Sequence, residues 1–186
     1  MKRWWWAASA IVLASASASA AASDAPPFVL IVGVNRSVDA SMPVLRYADD
    51  DAVRYDELFR SLGARTFLLA RADENTRRVA PQAAARAQPP RRAELAGAVA
   101  ALAAEVAAAR ARGARTAFYF VYAGHGAISG GEAYLALEDA RLGGGDIERD
   151  IVDKVRADDS HLIVDACHRF AETRGVPADD LRLGAL

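Results

Sequence analysis

Two short segments hold the residues best suited to chemistry. Gly124-His125-Gly126 follows the apolar run Thr116-Ala117-Phe118-Tyr119-Phe120-Val121-Tyr122, and Asp165-Ala166-Cys167-His168 follows Leu162-Ile163-Val164. Cys167 is the only cysteine in the chain, 42 residues after His125. A thiolate is a strong nucleophile, and an imidazole can take and return a proton near neutral pH. Delivered to one rim of a sheet, the pair suits nucleophilic attack on a carbonyl. The glycines beside His125 allow close backbone approach to a ligand and free an N–H to point at it. Each residue also has an ordinary reading, His125 as a turn histidine and Cys167 as a small core thiol. His168 is a rival base, but alternation along a strand turns it away from Cys167. His161 opens its strand, far from the carboxyl end. Zinc held by His125, Cys167 and His168 is disfavoured, because no C-x-x-C or H-x-x-x-H spacing accompanies them.

These residues need a scaffold, and hydrophobic periodicity supplies one. Phe28 to Val34 is a continuous apolar run, read as a strand covered on both faces. A polar loop, Asn35 to Pro43, leads to a helix from about Asp49 to Leu62. Tyr55, Leu58, Phe59 and Leu62 mark its predicted apolar face, and Asp49, Asp50 and Asp51 sit at its positive end. Arg65 to Leu69 is a second strand, and Arg71 to Pro90 reads as a long surface connection. A helix over Arg91 to Arg112 carries Leu95, Val99, Leu102 and Val106 on one face. The third strand is Thr116 to Tyr122. A small hairpin near Tyr134-Leu135-Ala136-Leu137 and a helix over Asp146 to Arg156, with Ile147, Ile151 and Val155 inward, precede a fourth strand, His161 to Asp165.

This alternation predicts an α/β fold: a three-layer sandwich with a mostly parallel sheet of about four core strands, in order 2-1-3-4, and helices on both faces. Ligands of such folds bind at the carboxyl ends of the strands. His125, Cys167 and the loop at Asn35-Arg36 all emerge there.

The 186 residues suit one domain with a real core. A net charge of −1 gives no sign of a nucleic-acid partner or an anionic membrane surface. The first 22 residues are set apart. Met1-Lys2-Arg3 is basic, Trp4 to Ala14 is apolar, and Ser15 to Ala22 is rich in small residues, with Ala18-Ser19-Ala20 and Ala20-Ala21-Ala22 fitting a cleavage site. Residues 1–22 therefore read as a secretory signal peptide, and the apolar stretch Trp4 to Ala14 is short for a membrane span, which needs about 20 apolar residues. The expected organisation is a linker over 23–27, a catalytic domain over 28–170 and an irregular tail over 171–186. The mature protein is expected in the periplasm or medium, free of the membrane. Exported proteins usually pair their cysteines, so a single one there is inert, reactive or bonded to another molecule.

Tyr122-Ala123-Gly124-His125-Gly126 resembles the Y-S-G-H-G segment of the caspase and metacaspase family of cysteine peptidases. Asp165-Ala166-Cys167-His168 resembles that family's D-[SA]-C-H segment. Leu45-Arg46-Tyr47-Ala48-Asp49-Asp50-Asp51-Ala52 resembles the family's entry to its first helix, after a strand like Ile31-Val32-Gly33-Val34-Asn35. The three motifs stand in the family's order and cover about Phe28 to Phe170.

The resemblance implies a caspase-like fold and a polypeptide substrate. It implies Cys167 as nucleophile, His125 as the proton-transfer group, and the backbone N–H groups of Gly126 and Cys167 as an oxyanion hole. The family does not require a third triad member. Metacaspases hold a basic side chain with two carboxylates, which by motif position are Asp51 and Asp165 here, so cleavage after Arg or Lys is expected. Both also have plain readings as a helix-start and a strand-end residue. Animal caspases hold aspartate with arginines, and Arg46 keeps that option. No cofactor is required. Calcium, known in the metacaspase branch, is left unassigned, since Glu138-Asp139 and Asp158-Asp159 make no dense oxygen-ligand loop.

Two departures stand out. The family continues D-A-C-H with Ser-Gly, where this chain has Arg169-Phe170. The sequence extends nineteen residues past Cys167, whereas the family adds two more strands and part of the substrate cleft. The fourth strand is therefore expected to present an open edge, covered by a second chain or a second copy. The alternative to an active peptidase is an inactive caspase-like fragment, or an interaction module that needs a partner to complete the fold.

Overall fold

The computed structural model describes residues 25–170, so the predicted signal peptide over 1–22 and the tail over 171–186 lie outside the described residues. The central strand β1 (Phe28–Gly33) is buried at every position, as its unbroken apolar run requires. It lies parallel between β2 (Arg65–Ala70) and β3 (Ala117–Ser129). β6 (Asp159–Phe170) runs parallel along the far edge of β3. The core order is thus β2-β1-β3-β6, the predicted 2-1-3-4. An antiparallel hairpin of β4 (Glu132–Ala136) and β5 (Arg141–Gly143) extends the sheet to six strands. β6 occupies one edge of β3 from Ala117 to Ile128, so β1 and β4 share the other in succession. β1 pairs with Phe118 to Ala123, and β4 with Gly126 to Ser129.

Helices cover both faces. Val29, Ile31 and Val121 pack beneath α1 (Ala48–Ser61) and α3 (Pro81–Arg86). Leu30, Val32, Phe118, Phe120 and Tyr122 pack beneath α4 (Arg92–Ala111) and a helical segment from Gly144 to Val155. That segment comprises α5 (Gly144–Ile147), a π-helical stretch (Glu148–Val152) and α6 (Asp153–Val155). Leu95, Val99, Leu102 and Val106 of α4 are buried as predicted, as are Ile147, Ile151 and Val155.

Three sequence expectations need correction. First, α1 buries Ala48, Ala52, Val53, Asp56 and Phe59 and leaves Leu58 and Leu62 exposed. The cause is close helix–strand packing. A Cβ on Gly33 would lie 2.5 Å from both the Ala48 carbonyl oxygen and the Ala52 Cβ, so only small residues fit that contact. Second, the stretch 71–90 is more than a surface connection. It contains α2 (Glu74–Val79), capped by the Asp73 carboxylate accepting from Thr76 N–H at 2.8 Å, and α3, entered through Pro81. Third, β3 and β6 are longer than predicted. His125 and Cys167 lie within strands rather than beyond their ends, because β4 and the β3–β6 ladder supply backbone partners there.

Candidate active site

The β3–β6 register sets His125 beside Cys167, Gly126 beside His168 and Ala123 beside Asp165. Neighbouring strands run about 4.8 Å apart, so the backbones of His125 and Cys167 are adjacent. The imidazole is almost fully buried, at 4% exposure. Its Nε2 lies 2.7 Å from the carbonyl oxygen of Pro43. A carbonyl can only accept, so Nε2 carries the hydrogen and donates it. In the neutral ring the lone pair is then on Nδ1, the nitrogen left for proton exchange. The sequence does not reveal the role of Pro43. A backbone carbonyl has no side-chain signature, and 82 residues separate it from His125.

The loop that carries Pro43 is pinned at both ends. At its root, Asn35 Oδ1 accepts from Ala48 N–H at 2.9 Å, and Asn35 Nδ2 donates to Asp49 Oδ1 at 2.6 Å. Asp49 is wholly buried, and its other oxygen accepts from Asp73 N–H at 2.8 Å and the Thr76 hydroxyl at 2.9 Å. Asp49 is therefore an internal tie between the β1–α1 and β2–α2 connections. Farther out, Val38 N–H donates to Leu137 O at 2.8 Å. Asp39 accepts from the Tyr134 hydroxyl at 2.8 Å and from Arg141 Nε at 3.0 Å, and the Arg141 guanidinium lies 4.6 Å from the Tyr134 ring centre. The Arg141 hydrogen bond, helped by Tyr134, holds the Asp39 carboxyl below its usual range.

A second support lies within β3. The buried Tyr122 hydroxyl lies 2.8 Å from the His125 carbonyl oxygen and 2.7 Å from that of Ala136. Burial raises its pKa well above that of a free phenol, so it remains a donor. The phenol passes so close to Gly124 that a Cβ there would lie 2.6 Å from the hydroxyl oxygen. On the other side of His125, a Cβ on Gly126 would lie 3.2 Å from the Ala166 Cβ. Both glycines thus make room for the protein itself.

The remaining predicted positions lie on β3, α1, β6 and the loop before α1. Gly126 is flanked by Leu135 on β4 and His168 on β6. Asp51 is half-buried in the first turn of α1, with Arg54 at 3.5 Å. Asp165 is exposed on β6. Arg46 is exposed in the loop before α1 and lines a cleft of about 660 Å³ with Arg36, Tyr47, Asp50, Arg71 and Glu138. Asp51, Asp165 and His125 are not among the residues lining that cleft. At its rim Glu138 accepts from Arg71 at 2.6 Å and Arg91 at 3.2 Å, and the Arg71 hydrogen bond above all holds its carboxyl below the usual range. His161 stacks on Tyr119 with ring centres 4.6 Å apart, at the opposite end of β6 from Cys167.

No curated protein matches the sequence. A family model described as Peptidase C14, caspase domain, matches residues 27–182, a span that includes the Gly-His-Gly and Asp-Ala-Cys-His segments and the loop carrying Pro43. With that match over most of its length, and with a three-layer α/β sandwich whose sheet sets His125 beside Cys167, the chain belongs to the caspase domain family of peptidases.

Proposed function

We propose that the protein is an exported cysteine endopeptidase that cleaves peptide bonds after Arg or Lys with a Cys167/His125 dyad. The reading rests chiefly on the β3–β6 register, which makes His125 and Cys167 neighbours, together with the Pro43 contact that leaves Nδ1 available. Nδ1 takes the thiol proton, and the sulfur adds to the scissile carbonyl carbon. The negative oxygen so formed accepts hydrogen bonds from the Gly126 and Cys167 N–H groups. The imidazolium then returns its proton from Nδ1 to the leaving amine as the C–N bond breaks, leaving a thioester. In the second half, Nδ1 takes a proton from water as the water oxygen adds to the thioester carbon. The C–S bond breaks, the acid product leaves, and the proton returns to sulfur. Through both halves the Pro43 carbonyl accepts from Nε2–H and steadies the imidazolium.

Asp51 and Asp165 supply the carboxylates for a basic side chain. Arg46 belongs to the competing preference for an acidic residue. Export rests on the sequence of residues 1–22, and no helix among the described residues is long and apolar enough to cross a membrane. The test is turnover of a peptide panel with Arg, Lys, Asp or Ala before the cut, with labelling by a peptide-based thiol electrophile. Cleavage after Arg and Lys, lost in Cys167→Ala and His125→Ala, is the expected result. Cleavage only after Asp reverses the specificity, and labelling indifferent to His125→Ala removes the dyad.

One observation favours a second reading, an inactive module whose fold is completed by another chain or a second copy. Among the described residues β6 pairs only with β3, and its Leu162 and Val164 are 40% and 48% exposed. An open apolar edge is a template for strand pairing. Absence of turnover in a dimer or a complex, measured by light scattering beside the peptide assay, supports this reading over the first.

A further inference from the structure

The β1–α1 loop does more than connect two elements, because its Pro43 carbonyl fixes the imidazole. Pro43 has no N–H of its own with which to anchor that carbonyl. The turn just before Pro43 is centred on Asp39, with Val38 N–H donating to Leu137 O beside it and Leu45 N–H donating to Asn35 O beyond it. Asp39 N–H donates to Ser37 Oγ at 2.9 Å, and Asp39 O accepts from Met42 N–H at 2.9 Å, one residue before Pro43. Its carboxylate accepts from Tyr134 on β4 and Arg141 on β5. Every polar group of Asp39 is thus engaged, and its side chain is only 12% exposed. The hairpin that receives Asp39 is the same one that pairs with β3 just past His125, from Gly126 onward. The loop and the strand are therefore referenced to one rigid unit.

We infer that Asp39 is a positioning residue for His125: clamped by Tyr134 and Arg141, it fixes the turn that presents the Pro43 carbonyl to Nε2. The catalytic consequence rests on the peptidase reading, and the structural one does not. Without the clamp the turn before Pro43 keeps only the backbone ties at Val38 and Leu45, the Pro43 carbonyl gains room to shift, Nε2 loses its fixed acceptor, and the hydrogen is free to move to Nδ1. Asp39 touches no reacting atom, so its loss lowers turnover through ring placement and not through substrate affinity.

The test is long-range ¹H–¹⁵N NMR of the His125 ring in the full chain, with kinetics on the same samples. In the unaltered protein the ring holds its hydrogen on Nε2, in slow exchange with solvent. In Asp39→Ala that hydrogen exchanges at least about tenfold faster and the Nδ1–H form becomes detectable. A displaced catalytic group typically costs up to about 100-fold, so kcat falls about 10- to 100-fold with KM unchanged. Asp39→Asn retains an oxygen for the Tyr134 hydroxyl but not the charge for Arg141, and gives an intermediate shift. It also provides the readout if Asp39→Ala does not fold. Glu105→Ala breaks a similar surface pair with Arg65 and leaves the His125 signals unchanged. Unaltered ring signals in Asp39→Ala and Asp39→Asn, or the same shift in Glu105→Ala, overturn the inference. If the unaltered protein lacks turnover, the peptidase reading falls while the ring signals still decide the clamp.

Discussion

Replacing Gly124 with alanine tests how tightly the His125 strand is built. The backbone at Gly124 does not lie in the left-handed region, so alanine adds no backbone strain and any cost is steric. The new Cβ would lie 2.6 Å from the Tyr122 hydroxyl oxygen and 2.9 Å from Cζ. The phenol must move, and its bonding to the carbonyls of His125 and Ala136 is lost with it. Leaving such buried groups unpaired costs about 1–3 kcal/mol. Overpacking adds about 1–3 kcal/mol. Gly124→Ala is therefore expected to cost about 2–6 kcal/mol, and Tyr122→Phe, which loses only the hydroxyl, about 1–3 kcal/mol. In the double variant the hydrogen bonding is lost once and the closest clashing atom is gone. The combined cost should fall short of the sum by about 1–3 kcal/mol, a coupling measurable by denaturant unfolding in a double-mutant cycle. Costs that add within about 0.5 kcal/mol would mean that the phenol and Gly124 do not constrain each other, and the account of this strand would fail.

Other substitutions probe separate parts of the fold. Gly33→Ala places a Cβ 2.5 Å from a backbone oxygen of α1, and lifting the helix should cost about 3 kcal/mol or more and lower soluble yield. Arg86→Ala leaves the Asp56 carboxylate, 1% exposed, with only the Thr66 hydroxyl as partner. The expected loss is about 2 kcal/mol in thermal or urea unfolding, below the 3–5 of a fully buried pair because the guanidinium is 40% exposed. Glu138 has a depressed folded pKa, so its contribution is fully present above the unfolded value of about 4.3 and is lost as pH falls through the folded value. Unfolding midpoints between about pH 5 and pH 3 should fall less steeply in Glu138→Gln than in the unaltered protein, and equal slopes would exclude the two arginines as the cause.

The sequence was most legible where one pattern had one cause. The unbroken apolar run Phe28 to Val34 could only be a doubly covered strand, and the alternation of strands with helices left few topologies for the core order. α4 was readable because Leu95, Val99, Leu102 and Val106 repeat at helical spacing. Size misled at α1, where Leu58 and Leu62 were read as inward although the contact with β1 admits only the smallest side chains. Strand ends were misread at His125 and Cys167, because pairing with β4 and β6 outweighs the weak strand propensity of Gly-His-Gly. At the site, residue types revealed His125 and Cys167. The Pro43 carbonyl and the Asp39 clamp stayed hidden because they depend on backbone groups and contacts across 82 to 102 residues.

Those long separations also order events during synthesis. The histidine reaches its acceptor only by closing an 82-residue stretch, and the clamp on Asp39 waits until Tyr134 and Arg141 have been made, 95 and 102 residues later. The cysteine follows 26 residues after Arg141, on β6, the last strand among the described residues. Contacts of such span form slowly, since the entropy of closing the chain opposes them before any packing is gained. A half-made copy therefore has an imidazole without its fixed acceptor and, until the far end of β6 is made, no cysteine beside it.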